Sequence, residues 1–390
     1  MTASLVLADR LRGVESSPTL ALAAKAKALQ HAGKLVVDLT AGEPDFPTPE
    51  PIKQAGIAAI ERNQTRYTPA EGTQELRAAI AADLSQRLGL TYAASQVVVS
   101  CGAKHALYNL LQVLCQPGDE VMLFSPYWVS YVPMVRLAGA TPVLVPLQEA
   151  HQFQPDLALV RAAVTERTRV LILNSPSNPT GMLIERARLG ELATLSIERD
   201  LSIISDEIYD QLVYPPQHPC SIVQAEPKVV NRTMLVNGVS KTYSMTGWRI
   251  GYSVAPQAVT DALVALQSHS TSNPTSISQA AALQAITGDQ APVARMASEF
   301  QQRRDRLVKG LNRLPGLSCV LPDGAFYAWC NVSRLGQSAE VIAGRWLEDA
   351  LVAVVPGEGF GSSEHVRLSF ATSLQTIDEA LVRLKRWLER

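Results

Sequence analysis

Between Val97 and Val254 the chain carries seven short apolar runs separated by helix-like stretches: Val97–Val99, Glu120–Phe124, Thr141–Pro146, Val170–Leu173, Leu201–Ile204, Thr233–Val236 and Arg249–Val254. Several are apolar without alternation, which is the mark of strands buried on both faces. Strands of that kind, alternating with helices, predict an α/β domain built on a mainly parallel sheet. In such a sheet the ligand crevice lies beyond the carboxyl ends of the strands, so the residues that follow each run deserve inspection.

The flanks of this region read differently. Ala41–Pro51 (AGEPDFPTPEP) holds four prolines and reads as an extended connector. Ile52–Arg62 is helix-like, and in Thr73–Leu88 the residues Leu76, Ile80 and Leu84 recur at helical spacing. A charged helical stretch, Met296–Leu314, leads into a second pattern of short strands and helices that reads as a smaller α+β domain, completed by the N-terminal segment. The expected division is therefore residues 1–46 joining the small domain, 47–295 forming a large domain, and 296–390 forming the small one. With 390 residues, two or three domains are expected, at roughly 150 residues each.

Several classes of function are disfavoured by composition. The 35 Lys+Arg against 36 Asp+Glu leave no basic excess of the kind a dedicated nucleic-acid binder carries. Cys101, Cys115, Cys220, Cys319 and Cys330 are an odd number without a Cys-x-x-Cys pair, and the six histidines have no ligand spacing, so neither a disulfide framework nor a metal centre is expected. No apolar run reaches the 18 or so residues of a spanning helix, and the opening MTASLVLADRLRG has no basic region before an apolar one. Neither a membrane nor nucleic acid is an expected partner, and the cytoplasm is the expected compartment.

The unusual residues gather at the strand ends. VVVSCGAKHALYNLL, from Val97, reads as a strand, a turn at Gly102 and a helix opening near Ala103, where free N–H groups and about half a positive charge suit a phosphate. Half a charge does not balance a dianion, so a true site needs a fixed cation as well. VLILNSPSNPTG, from Val170, ends a strand with Asn174 and then Asn178-Pro179, which reads equally as a turn or as an Asn aimed into the crevice, with a cis bond at Pro179. LSIISDEIYDQLVY, from Leu201, puts Asp206 at a strand end with Tyr209 after it; a helix cap and a core aromatic are the plain alternatives. Lys241 follows another strand in a Gly/Ser-flanked loop, eight residues before Arg249. Singly, each has an ordinary explanation. Converging, a lysine amine, an acid for a pyridine nitrogen and a phosphate anchor are what pyridoxal phosphate requires.

The succession LTAGEPDF (Leu39–Phe46), SPYW (Ser125–Trp128), NSPSNPTG (Asn174–Gly181), SDEIY (Ser205–Tyr209), SKTYSMTGWRIG (Ser240–Gly251) and HVRLSFA (His365–Ala371) resembles the class I pyridoxal-phosphate aminotransferases. Within them it is most similar to the bacterial aspartate aminotransferase branch, which includes aspartate–prephenate aminotransferases. The resemblance covers nearly the whole chain. It implies the fold-type-I architecture of pyridoxal 5'-phosphate enzymes, with a seven-stranded, mainly parallel sheet in the large domain.

The resemblance also implies roles. Lys241 would bind the cofactor covalently and shuttle the substrate proton, which demands an amine pKa well below about 10.4. Asp206 would keep the pyridine nitrogen protonated, and Tyr209 and Asn178 would hydrogen-bond the ring's phenolic oxygen. Trp128 would stack on the ring. Gly102, Ala103 and Arg249 would hold the phosphate, and Arg249 supplies the cation that the helix start lacks. Many relatives carry a serine three residues before the lysine; here it is Gly238, which shifts phosphate duty toward Lys104, Ser240 or water. Arg367 would clamp the substrate α-carboxylate with help from the Gly42 backbone, while Trp128 and Asn178 line the same place. In HVRLSFA the alternation of Val366, Leu368 and Phe370 equally fits a solvent-facing Arg367. Lys104 would meet a distal carboxylate or else help the phosphate, and Thr19 matches a threonine associated with prephenate. Tyr67, and polar sequence like Ser272-Asn273, would act across the interface of a homodimer with shared sites.

The expected reaction is amino transfer from aspartate to 2-oxoglutarate by a ping-pong mechanism, with prephenate as a further acceptor. The alternatives on the same fold are a lyase or synthase and an aminotransferase of another amino acid. A regulator with an aminotransferase-like domain is more remote, because the roughly 40 residues before the connector leave little room for a DNA-binding domain.

Overall fold

The computed structural model describes residues 8–11, 14 and 18–390, the side chains of 18–23 excepted. A short strand β1 (Val37–Asp38) precedes the connector. Then come β2 (Val97–Ser100), β3 (Glu120–Ser125), β4 (Thr141–Pro146), β5 (Thr168–Asn174), β6 (Ser202–Asp206), β7 (Thr233–Gly238) and β8 (Gly251–Val254). These seven form one sheet in the order β2-β8-β7-β6-β5-β3-β4. Each of the seven apolar runs is thus a strand of a single sheet; six are buried, while β4, at the edge, is partly exposed, with Leu144 at 45%. All neighbours pair parallel except β8, which runs antiparallel to both β7 and β2.

The chain turns back into β8 through the connection 239–250, which contains two left-handed residues, Ser244 and Arg249. The run read as Arg249–Val254 begins as a strand only at Gly251, because Arg249 takes a left-handed conformation with φ 57°. That turn re-aims the chain and leaves the Arg249 side chain at the carboxyl end of β7. Helices cover both faces of the sheet: Ile80 and Leu84 of Gln74–Leu88 share a buried cluster with Val97 and Leu171, while Leu107 and Leu110 of Ala103–Leu114 join Val98 and Ile172 in another.

A second sheet follows from β9 (Ser318–Cys319), β10 (Tyr327–Asn331), β11 (Val352–Ala353), β12 (Val355–Pro356) and β13 (His365–Ser369). Its order is β12-β13-β10-β9, all antiparallel, while β11 pairs in parallel with β1. The pairing Val37↔Val352 ties the N-terminal segment to the C-terminal part. The charged helix begins earlier than the sequence suggested, at Ala291, and runs unbroken to Leu311, so the expected boundary at 295/296 falls inside it.

One apolar cluster joins the two parts. Ile208, Tyr209, Leu212 and Tyr214, which follow β6, are buried with Phe300, Phe326, Phe370 and Leu384. Each such side chain contributes about 1.5–3 kcal/mol when fully buried, so the wall between the sheets is packed core rather than a loose hinge. The crevice opens along this wall, at the carboxyl ends of β5, β6 and β7. Among the described residues, no helix is long and apolar enough to cross a membrane and no group of three or more His, Cys, Asp or Glu is placed to hold a metal ion. The five cysteines are free.

Candidate active site

Asp206 ends β6 with its carboxylate buried, 4% exposed. Tyr131 donates its hydroxyl to Oδ2 at 2.6 Å and the Ile208 amide donates to Oδ1 at 3.3 Å. No helix follows, so the carboxylate caps a turn and not a helix start. Burial pushes its pKa up to about 6, against the pull of Tyr131, Ile208 and the nearby Lys241. Next to it, Asn174 at the end of β5 donates Nδ2 to the Asp206 carbonyl at 3.1 Å and accepts the Asn178 amide at 2.8 Å. These two bonds fix the Asn178 loop against β6. The Asn178–Pro179 peptide is cis, and Asn178 is 5% exposed.

Lys241 follows β7 in one helical turn, Val239–Thr242, and its Nζ donates to the Gly42 carbonyl at 2.7 Å. Burial lowers its amine to about pKa 8; Glu43 opposes this, and the cations Arg367, Arg249 and Lys104 add to it. Three cations felt by one amine mark how tightly the predicted residues converge. The amine is therefore a usable nucleophile and base near neutral pH, where an exposed lysine is not.

Beyond Lys241 lies an anion cradle. Gly102 has φ 89° and precedes the helix Ala103–Leu114, whose first turn has no side-chain cap. Arg249 donates Nη2 to the Cys101 carbonyl at 3.3 Å and Nη1 to the Thr246 carbonyl at 2.8 Å, so its head group lies directly against Gly102. A Cβ on Gly102 would run into the Arg249 guanidinium, and one on Gly251 would run into the Ala103 amide. Both glycines are thus needed for the close approach. A Cβ on Gly238 would stand 2.9 Å from the Gly251 Cα and 3.0 Å from the Ile250 carbonyl, which gives the missing serine a steric reason. Ser240 is buried beside Lys241. Lys104 projects its Nζ over the Trp128 ring at 4.9 Å, and burial followed by repulsion from Arg249 lowers its pKa. Trp128 meets Tyr131 edge to face at 5.4 Å, which links this corner to Asp206.

Arg367 on β13 is 2% exposed, which removes the solvent-facing alternative: both faces of the strand are covered. It donates Nη1 to Asn178 Oδ1 at 3.0 Å and Nη2 to the Thr40 carbonyl at 3.2 Å, while its buried Nε has no partner. A buried, unpaired guanidinium is costly and is a ready receptor for a carboxylate. Below it lies Tyr327 of β10, with the guanidinium 4.3 Å above the ring centroid. The Tyr327 and Tyr209 hydroxyl oxygens are 3.1 Å apart, both rings being buried.

The structure thus gathers Gly42, Gly102, Ala103, Lys104, Trp128, Asn178, Asp206, Tyr209, Ser240, Lys241, Arg249 and Arg367 around one crevice. Tyr67 is not among them; it is 90% exposed. Thr19 falls in the first turn of the helix Pro18–His31, and its side chain lies outside the described residues. Sequence reasoning missed Tyr131 and Tyr327, each in a run that reads as ordinary core, and also Glu43, whose Oε2 accepts the Thr246 hydroxyl at 2.6 Å. A guarded amine, a buried acid facing it and a cationic glycine cradle suit a phosphorylated carbonyl compound with an ionisable ring. The Arg367 guanidinium, held by neutral acceptors only, suits the carboxylate of a second molecule.

Comparison with known proteins bears on this arrangement. The family model described as aminotransferase class I and II matches residues 34–384. The aspartate aminotransferase of Bacillus subtilis is 43% identical over 389 residues, covering 98% of this chain and 99% of that one. The aspartate/prephenate aminotransferase of Thermus thermophilus is 44% identical over 387 residues, again with 98% and 99% covered. Among solved structures, the Thermus thermophilus aspartate aminotransferase with maleate superposes with a TM-score of 0.94 at 42% identity, over 98% of this chain and all of the other. The aspartate aminotransferase of Rhizobium meliloti gives 0.95 at 39%, over 99% of this chain and all of the other.

Proposed function

Because the chain belongs to the class I and II aminotransferases, which work with pyridoxal 5'-phosphate, we propose that it transfers the amino group of aspartate to 2-oxoglutarate in two half-reactions, with prephenate as a further acceptor. The observation that carries the reading is the pair of cations at one place: Arg367, whose guanidinium is held by neutral acceptors only, Asn178 Oδ1 and the Thr40 carbonyl, and Lys104, whose Nζ lies over the Trp128 ring. Two fixed positive groups at one crevice favour a dicarboxylic substrate, since a buried carboxylate without a cation costs several kcal/mol. Maleate, in the Thermus structure, is such a dicarboxylate. Prephenate use rests on the likeness to the aspartate/prephenate aminotransferase of Thermus thermophilus.

When bound, the cofactor supplies a carbonyl that accepts the amino group and a cationic ring that draws electrons from the substrate Cα. The rest is done by side chains. Arg249, the Gly102–Ala103 amides and Ser240 hold the phosphate, and the helix start adds its partial positive charge. Asp206 would sit against the pyridine nitrogen. Burial raises its carboxyl pKa to about 6, and a cationic ring beside it would lower that value and keep the carboxylate ionised. Tyr209 and Asn178 hydrogen-bond the phenolic oxygen, and Trp128 covers the ring face and excludes water.

Arg367 takes the α-carboxylate by charged hydrogen bonds of about 1.5–3 kcal/mol each, with the Gly42 backbone beside it. Lys104 takes the distal carboxylate. Lys241 Nζ, in its neutral form, would take the proton from Cα and give it back to the product; a pKa of about 8 leaves roughly a tenth of the amine neutral at pH 7, far more than for an exposed lysine. The part built around the second sheet carries Arg367 on β13, and the part built around the seven-stranded sheet carries Lys241 after β7. Tyr67, exposed in a single chain, reaches the phosphate of a second copy, which makes the working unit a homodimer with composite sites in the cytoplasm.

The test is transfer of isotopic nitrogen from labelled aspartate in the presence of 2-oxoglutarate. Label in glutamate, with parallel lines in double-reciprocal plots, supports the reading. Label released as ammonium would assign the chain to lyase chemistry instead.

A further inference from the structure

Tyr327 touches three parts of the site at once. Its ring lies under the Arg367 guanidinium, 4.3 Å from centroid to Cζ. Its hydroxyl oxygen is 3.1 Å from that of Tyr209, and it lies 3.9 Å from where a Cβ on Gly42 would stand. The residue is 1% exposed, and its backbone pairs with Ser369, two residues beyond Arg367, so it is held by the same sheet that holds the arginine. Phe326 packs against it, tilted by 52° at 4.6 Å between centroids, which leaves the ring little freedom.

A tyrosine hydroxyl has one hydrogen to give and two lone pairs to receive. If Tyr209 spends its hydrogen on Tyr327, it has none for the cofactor's phenolic oxygen. If Tyr327 donates instead, the Tyr209 hydrogen is released toward the cofactor, and the bond it makes is strengthened by the one it receives. We propose that Tyr327 is a positioning residue with two separable duties: its hydroxyl donates to Tyr209 and thereby orients the Tyr209 hydrogen toward the cofactor, while its ring face seats Arg367 for the substrate carboxylate. The inference rests on the proposed aminotransferase reading. It links the proton balance of the cofactor to carboxylate binding through one side chain that touches neither reacting atom.

The substitutions Tyr327→Phe and Tyr327→Leu separate the duties. Both are examined as holoenzyme, with the native fold checked by circular dichroism. The first readout is the pH at which the visible absorbance of the substrate-free holoenzyme changes; the second is the Kd for maleate. Tyr327→Phe keeps the ring and deletes the hydroxyl, so the absorbance transition should move up by about 0.5–1 pH unit, the worth of one neutral hydrogen bond. Maleate affinity should stay within about twofold. Tyr327→Leu should show the same upward shift and also weaken maleate about tenfold, through loss of the cation–π seat. In a Tyr209→Phe background, Tyr327→Phe should add no further shift, because its effect passes through Tyr209.

An unmoved transition in Tyr327→Phe, or an equal shift in the Tyr209→Phe background, overturns the relay. Unchanged maleate affinity in Tyr327→Leu overturns the seat. Both readouts are made without turnover. Failure of the wild-type enzyme to move nitrogen from aspartate would therefore count against the proposed reaction and not against Tyr327.

Discussion

Replacing Lys241 by methionine should make the cofactor-free protein more stable, by an amount that depends on pH in a defined way. Burial and three neighbouring cations bring the Lys241 amine from the ordinary 10.5 to about 8 in the folded chain. Above about pH 10.5 the amine is neutral in both states and folding costs nothing extra. Between about pH 8 and 10.5 the unfolded chain holds more protons than the folded one, so stability rises with pH across this window. Below about pH 8 the full penalty applies: a shift of about 2.5 units at 1.36 kcal/mol each, or about 3 kcal/mol. Methionine is also unbranched and of similar length, and it carries no charge. It forfeits the bond to the Gly42 carbonyl, worth about 1 kcal/mol, which acts mainly as an offset at all pH values. The diagnostic quantity is therefore the change in the variant's advantage with pH. Urea unfolding at fixed protein concentration should show that advantage shrinking by about 3 kcal/mol between pH 7 and 10.5. A gap constant with pH would show that Lys241 is not held as a depressed amine, and the account of its reactivity would fall with it.

Further outcomes follow from the same geometry. Lys104→Met should lower kcat/KM for aspartate and glutamate at least tenfold more than for alanine, with cofactor retention little changed; equal losses for all donors with weakened cofactor binding would assign Lys104 to the phosphate. Tyr131→Phe removes the 2.6 Å bond that lowers the Asp206 carboxyl, so carbon NMR of the cofactor-free protein should find that pKa higher than in the wild type; an unchanged value would remove Tyr131 from the network. Gly102→Ala puts a methyl into the Arg249 guanidinium at a positive φ, so cofactor affinity measured by equilibrium dialysis should drop at least tenfold; near-normal affinity would mean the cradle is not where the phosphate sits. Mixing inactive Tyr67→Ala and Lys241→Ala chains should restore part of the activity through heterodimers with one intact site, and no recovery on verified subunit exchange would refute the shared site.

How much of this could be read in advance depended on how each residue is buried. The inner strands were legible because a strand covered on both faces has to be apolar throughout, and Val97–Ser100 or Thr168–Asn174 have few other ways to fold. Lys241, Asp206 and Asn178 stood out because each is a polar residue abutting such a run. The antiparallel direction of β8 was not legible: the chain turns between Gly238 and Gly251 through two left-handed residues, Ser244 and Arg249, neither of a type that signals such a turn. Arg367 was ambiguous for the opposite reason. Its neighbours alternate as those of a half-exposed strand do, and only the packing of Phe360 and Tyr327 around the guanidinium shows that both faces are covered. Tyr131 and Tyr327 went unseen because an aromatic in an apolar run looks like core. Both rings are buried with the core, while their hydroxyls, and the face of the Tyr327 ring under Arg367, serve the site.

The assignment of Lys241 is the claim on which every other role depends, and borohydride trapping tests it most directly. Reduction of the holoenzyme makes the link between cofactor and protein permanent, and proteolysis with mass spectrometry then locates the labelled lysine. The account predicts one cofactor per chain, carried on the peptide that contains Lys241. A label on Lys104 or on any other lysine, with Lys241 unmodified, would contradict it.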